Sequence, residues 1–157
     1  MTNSINIEQL ISVAEQLQDL KDIVVFVGGS TTALLVDDAA TGKARETDDV
    51  DFIVDIAVRT DLYTFENRMR ELDFRNDTSE GAPLCRWKMD FHGVDLKVDA
   101  MPTDDSIMGF TNRWYKDSIS TAWCATIKEG LTINVIDPVY FLGTKFEAFK
   151  GRGKGDL

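Results

Sequence analysis

The chain has 157 residues, 43% of them hydrophobic, and carries a formal net charge of −10. That size and composition describe one folded domain with a single core and exclude a disordered chain. The acidic surplus speaks against nonspecific coating of nucleic acid, and no apolar run approaches the roughly 20 residues of a membrane helix.

In chain order, Asn6 and Gln9 read as a capping box. Ile7, Leu10, Ile11, Ala14 and Leu17 follow at helical spacing, which predicts an amphipathic helix over 7–20. "IVVFV" (23–27) reads as a buried strand, broken by "GGS", after which "TTALLV" starts a short helix. Residues 37–46 read as a polar loop and 49–56 as a second strand. Thr60 is placed to cap a helix whose buried stripe is Leu62, Phe65, Met69 and Leu72.

A hairpin follows, with His92-Gly93 as its two-residue turn. This register puts Cys85, Trp87, Met89, Phe91, Val94, Leu96, Val98 and Ala100 on one face. Arg86, Lys88, Asp90, Asp95, Lys97 and Asp99 fall on the other, and no residue breaks the sorting. A second hairpin turns at Glu129-Gly130, and Asp137-Pro138 starts a last helix that stops at the glycines of "GRGKG". Strands and helices mix without a regular βαβ rhythm, so the predicted class is α/β or α+β with a mixed sheet flanked by helices. Cys85 and Cys124 lie in strand-like runs without metal-ligand spacing, which predicts reduced core thiols and a cytoplasmic protein.

Charge is unevenly placed. Residues 37–61 hold eight Asp or Glu against three Lys or Arg, whereas 143–157 hold Lys145, Lys150, Arg152 and Lys154 against Glu147 and Asp156. Within the acidic run, Asp49 and Asp51 share one face of a strand, spaced to hold a divalent ion, while Asp48 points the other way. By itself this spacing fits a solvated strand end equally well. Gly28 and Gly29, after a buried strand, let backbone N–H groups approach an anion, and the helix start behind them favours negative charge. An ordinary turn would need the same glycines.

Taken together, strand–"GGS"–helix followed some twenty residues later by "DDVDF" resembles the signature of the nucleotidyltransferase (DNA polymerase β-like) superfamily. The resemblance implies a third carboxylate on a later strand, and Asp99 in "VDAMPTD" matches better than Asp95. The competing reading of Asp99 is a cross-strand ion pair with Arg86, directly opposite it. "RETDDVDFIV", "VDAMPTD", "GFTNRWY" and "YFLGTKFEAFKGRGKGD" further resemble abortive-infection (AbiEii-like) nucleotidyltransferase toxins over most of residues 23–157.

That resemblance implies a minimal nucleotidyltransferase fold over 1–157, two Mg²⁺ ions, a nucleoside triphosphate donor, tRNA as acceptor in some members, and a cognate antitoxin. Asp49, Asp51 and Asp99 would be catalytic and metal-binding. Gly28, Gly29, Ser30, Thr47 and Lys145 would hold the nucleotide, with Arg45 a weaker candidate. Relatives usually continue into further helix where this sequence stops at Leu157. Two other readings share these residues: a small-molecule acceptor, which the acidic surface suits, and an inactive binding module. Trp114 and Tyr115 fit base stacking or packing equally, and His92 reads as a turn residue.

Overall fold

The computed structural model describes residues 5–35, 47–56, 59–103 and 114–152. Helix α1 (Ile5–Leu17) leads through a 3₁₀ segment into strand β1 (Val24–Val27), a 3₁₀ turn at Gly29–Thr31 and the single-turn helix α2 (Thr32–Leu35). Strand β2 (Asp49–Val54), helix α3 (Arg59–Glu71) and the two-residue strand β3 (Arg75–Asn76) follow. The chain continues through β4 (Arg86–Phe91), β5 (Val94–Pro102), helix α4 (Tyr115–Thr121), β6 (Trp123–Lys128), β7 (Leu131–Val135) and helix α5 (Pro138–Arg152). The seven strands of the described residues join one sheet in the order β3-β4-β5-β2-β1-β7-β6. It is mixed: β2–β5 and β1–β7 pair in parallel and the other neighbours antiparallel. The expected α+β class is the observed one.

Central strands are buried on both sides, which is why β1 is an unbroken run of β-branched and aromatic residues. Phe26, Phe52 and Phe65 meet edge to face, at centroid distances of 5.8 and 6.3 Å, and tie β1 and β2 to α3. Each such pair contributes about 0.5–1.5 kcal/mol beyond its buried area. The α3 stripe of Leu62, Phe65, Met69 and the following Leu72 is buried, as its spacing predicts. The first hairpin pairs Phe91 with Val94, Met89 with Leu96 and Trp87 with Val98, the register predicted from alternation. Its turn puts His92 and Gly93 at φ of 53° and 81°, a left-handed pair whose twist matches the strands.

Several expectations are corrected. Asn6 is no cap: α1 already begins at Ile5, and Asn6 and Gln9 are buried side by side on successive turns. Thr60 lies inside α3 rather than before it. Val94, at the hairpin tip, is exposed, and so is Cys124 on the edge strand β6; only Cys85 is a core thiol. Helix α4 and strand β3 have no counterpart in the sequence reading. Trp114 meets Tyr140 edge to face at 6.1 Å, and the Tyr115 hydroxyl donates to the Met101 sulfur at 3.3 Å, so both rings pack within the fold. The predicted loop at 37–46, with Arg45, and the chain end from Gly153, with Lys154, lie outside the described residues. Among the described residues no helix is long and apolar enough to cross a membrane.

Candidate metal and nucleotide site

Two neighbouring strands build the centre of the site. Asp51 on β2 lies in register with Asp99 on β5, so parallel pairing brings together two carboxylates that are far apart in sequence. Asp49 stands one pleat before Asp51 on the same face. Each of Asp49, Asp51 and Asp99 presents an oxygen, and these lie within 4.8 Å of one another. Three carboxylates this close can share a metal ion, because hard oxygen ligands suit Mg²⁺ or Ca²⁺. Asp48 is exposed and points away, and Asp95 is held at the outer part of the hairpin by Arg75 at 2.6 Å. Neither joins the cluster.

The electrostatics follow from crowding. Burial pushes the Asp51 carboxyl well above its usual range, and the charges of Asp49 and Asp99 push it further. Burial likewise raises Asp49, with Asp99 adding to the effect and Arg86 opposing it. Arg86 spans the cluster: Nε donates to Asp99 Oδ1 at 2.8 Å, Nη2 donates to Asp99 Oδ2 at 2.9 Å, and Nη2 lies 3.7 Å from Asp49 Oδ2. The hydrogen bonds from Arg86 to Asp99 hold the guanidinium firmly charged. Asp99 therefore forms the expected cross-strand pair with arginine while also facing the two carboxylates of β2. Burial raises the Cys85 thiol to about 12, with the Asp99 charge adding, so no thiolate nucleophile forms beside the cluster.

The glycine turn borders the carboxylates. Gly28 holds φ 79°, and a Cβ there would fall on Asp51 Oδ2, so only glycine lets the turn pass the carboxylate. Thr31 closes the turn by donating to the Gly28 carbonyl from its N–H at 3.2 Å and its hydroxyl at 2.8 Å. A Cβ on Gly29 would meet the Thr47 methyl at 2.7 Å. Thr47 in turn donates its N–H to Asn6 Oδ1 and its hydroxyl to the Asp49 carbonyl, both at 3.2 Å. Sequence reasoning missed this support from α1, because the spacing of Asn6 and Gln9 suits a local cap.

Ser30 is 1% exposed, and its Oγ has no hydrogen-bond partner among the described residues. A buried hydroxyl left in this state costs about 1–3 kcal/mol. Lys145 on α5 is exposed, with Nζ 5.4 Å from the Phe141 ring centroid, and its charge reaches Asp51 and draws that carboxyl downward. The structure thus gathers Gly28, Gly29, Ser30 and Thr47 beside Asp49, Asp51 and Asp99, with Lys145 within electrostatic range. Two clefts elsewhere, of about 450 and 640 Å³, are lined by none of these residues.

A crystal structure of an antigenic nucleotidyltransferase-like protein from Paracoccidioides brasiliensis is similar to this chain, with a TM-score of 0.60 at 20% identity. The fold is nucleotidyltransferase-like. The match covers 88% of this chain and 64% of the other, so the chain spans less than two thirds of that neighbour's length. No family model and no curated protein matches the sequence. The nucleotidyltransferase-like fold therefore rests on shape, and the carboxylate cluster on this chain's own geometry.

Proposed function

We propose that the protein is a Mg²⁺-dependent nucleotidyltransferase that moves a nucleoside monophosphate from a nucleoside triphosphate to an acceptor hydroxyl. The observation that carries this reading is the Asp49–Asp51–Asp99 cluster, built across β2 and β5 beside a glycine turn whose serine hydroxyl is unpartnered among the described residues. Asp49 and Asp51 would hold two Mg²⁺ ions, with Asp99 completing the coordination nearer the acceptor. Bound there, the ions would supply charge neutralisation for the entering and leaving oxygens.

The chain's own groups do the rest. Backbone N–H groups after Gly28 and the Ser30 hydroxyl grip the β- and γ-phosphates, Thr47 holds the turn against β2, and Lys145 contacts the triphosphate. Held in line, the acceptor oxygen bonds to the α-phosphorus as the bond to the bridging oxygen breaks, and pyrophosphate leaves. The acceptor proton passes to solvent or to Asp99.

The acceptor is an RNA such as tRNA, and the biological role that of a toxin countered by an antitoxin. These finer statements rest on the sequence resemblance through "DDVDF" and "TKFEAFKGRGKGD". The test is incubation with Mg²⁺ and each labelled triphosphate in turn, offering total RNA, protein extract or small hydroxylated compounds. Label on RNA is expected. Label only on a small compound would move the acceptor to that class, and no transfer in any mixture would remove the enzymatic reading.

A further inference from the structure

Arg86 has no part in the reaction set out above, yet it grips one of the site's carboxylates with two hydrogen bonds. Its position is fixed by the sheet: β4 pairs with β5 so that Arg86 lies directly opposite Asp99. The guanidinium covers both Asp99 oxygens, at 2.8 and 2.9 Å, and reaches Asp49 at 3.7 Å. Its side chain is only 20% exposed, so solvent screens the contact poorly. Lys88, the next side chain along the same face of β4, instead turns outward to Asp77 at 3.5 Å and Asp95 at 3.9 Å.

A two-pronged arginine occupies the same carboxylate oxygens that a divalent ion needs. Without any cation, three crowded carboxylates would repel one another. We propose that Arg86 is the site's internal counter-cation: it holds the metal-free cluster together and competes with the metal for Asp99 and Asp49, thereby setting the metal concentration at which the site fills. The inference rests on the reading of these carboxylates as metal ligands. An ordinary cross-strand pair would stabilise the hairpin but leave metal affinity alone.

The test is Mn²⁺ binding to the whole chain, followed by electron paramagnetic resonance, in the parent, Arg86→Gln and Arg86→Lys. Removing the competitor should tighten Mn²⁺ binding by about fivefold or more in Arg86→Gln, a coupling of ordinary allosteric size. Lysine keeps the charge but loses the fork, so Arg86→Lys should fall between. Melting should agree: Arg86→Gln starts lower without metal and gains more from Mn²⁺ than the parent. Equal or weaker Mn²⁺ binding in the folded variants overturns the proposal. If Arg86→Gln does not fold, Arg86→Lys decides alone, tighter binding supporting the competition and unchanged binding overturning it. Failure of the underlying metal reading looks different: neither parent nor variants bind Mn²⁺, which removes this inference with it.

Discussion

Gly28, just past the point where Val27 pairs with Asp51, runs so close to that aspartate that any side chain on it would land on the carboxylate. The glycine also holds φ 79°, so Gly28→Ala meets backbone strain and a collision at once. The strain alone costs about 1–3 kcal/mol. Chemical denaturation should show that loss, and Mn²⁺ titration should show weaker binding because Asp51 must move. A variant with parental metal affinity would mean that the turn and the carboxylate are independent.

Gly29 is constrained differently. Its φ lies outside the left-handed region, and the obstacle is the Thr47 methyl at 2.7 Å. Gly29→Ala should therefore weaken nucleotide binding, and Thr47→Ser, which deletes the methyl and keeps the hydroxyl, should restore part of it in the double variant. Coupling between residues in contact is typically about 0.5–3 kcal/mol. Calorimetry of triphosphate binding across the four proteins measures it; strict additivity would sink the explanation.

The raised Asp51 and Asp49 carboxyls make the metal-free protein pH-sensitive. Unfolded, each releases its proton near the ordinary value of 3.8; folded, each keeps it to higher pH. As pH climbs above 3.8 the unfolded state binds fewer protons, so stability falls until the folded groups have ionised too. Asp51→Asn removes the larger part of that loss. Its melting temperature should exceed the parent's at pH 7 without metal and approach the parent's near pH 4. Mg²⁺ with triphosphate should stabilise the parent and not the variant. A variant that melts below the parent at pH 7 would contradict the crowding argument.

Lys145 stands exposed on α5, so its removal should leave folding nearly untouched. Lys145→Ala should raise the apparent KM for the triphosphate by about tenfold, the loss of one charge-assisted contact of about 1.5 kcal/mol. Unchanged KM would return the residue to the role of a surface lysine over Phe141.

Gly143 marks the contact between α4 and α5. A Cβ there would press on the Trp114 indole at 2.7–2.9 Å, against both fused-ring carbons and the atom joining the ring to its side chain. Overpacking of this kind costs about 1–3 kcal/mol. Urea denaturation of Gly143→Ala, with tryptophan fluorescence as the probe, should show that loss; an unaltered midpoint would mean that the indole shifts freely.

Where alternation governed, the chain was legible. The β4–β5 register and the facing of Arg86 and Asp99 follow from strict period-two sorting of apolar and polar side chains. Asp137 also does what its place before Pro138 predicts, accepting the Val139 N–H at 2.9 Å. Helix α4 was not legible because "YKDSIST" has only Tyr115 and Ile119 as large apolar residues, with three hydroxyl residues among them. Asn6 and Gln9 misled for a related reason. Their spacing suits a cap, but both lie inside α1, and Asn6 Oδ1 instead accepts the Thr47 N–H, a tertiary contact that overrides the local preference. Nothing local shows that β2 and β5 are neighbours; for that the sheet order is needed.

The β2–β5 pairing also dates the site within the folding of the chain. Parallel strands cannot close by a hairpin, and here α3, β3 and β4 intervene before Asp99 can come beside Asp51. Contacts so distant in sequence form late, after the entropy of the intervening loop has been given up. During synthesis, Asp49 and Asp51 leave the ribosome well before their partner strand exists. A half-made chain thus carries two of the carboxylates without the third, and without the arginine that steadies it. Chemistry that depends on the complete cluster stays silent until the centre of the sheet has closed.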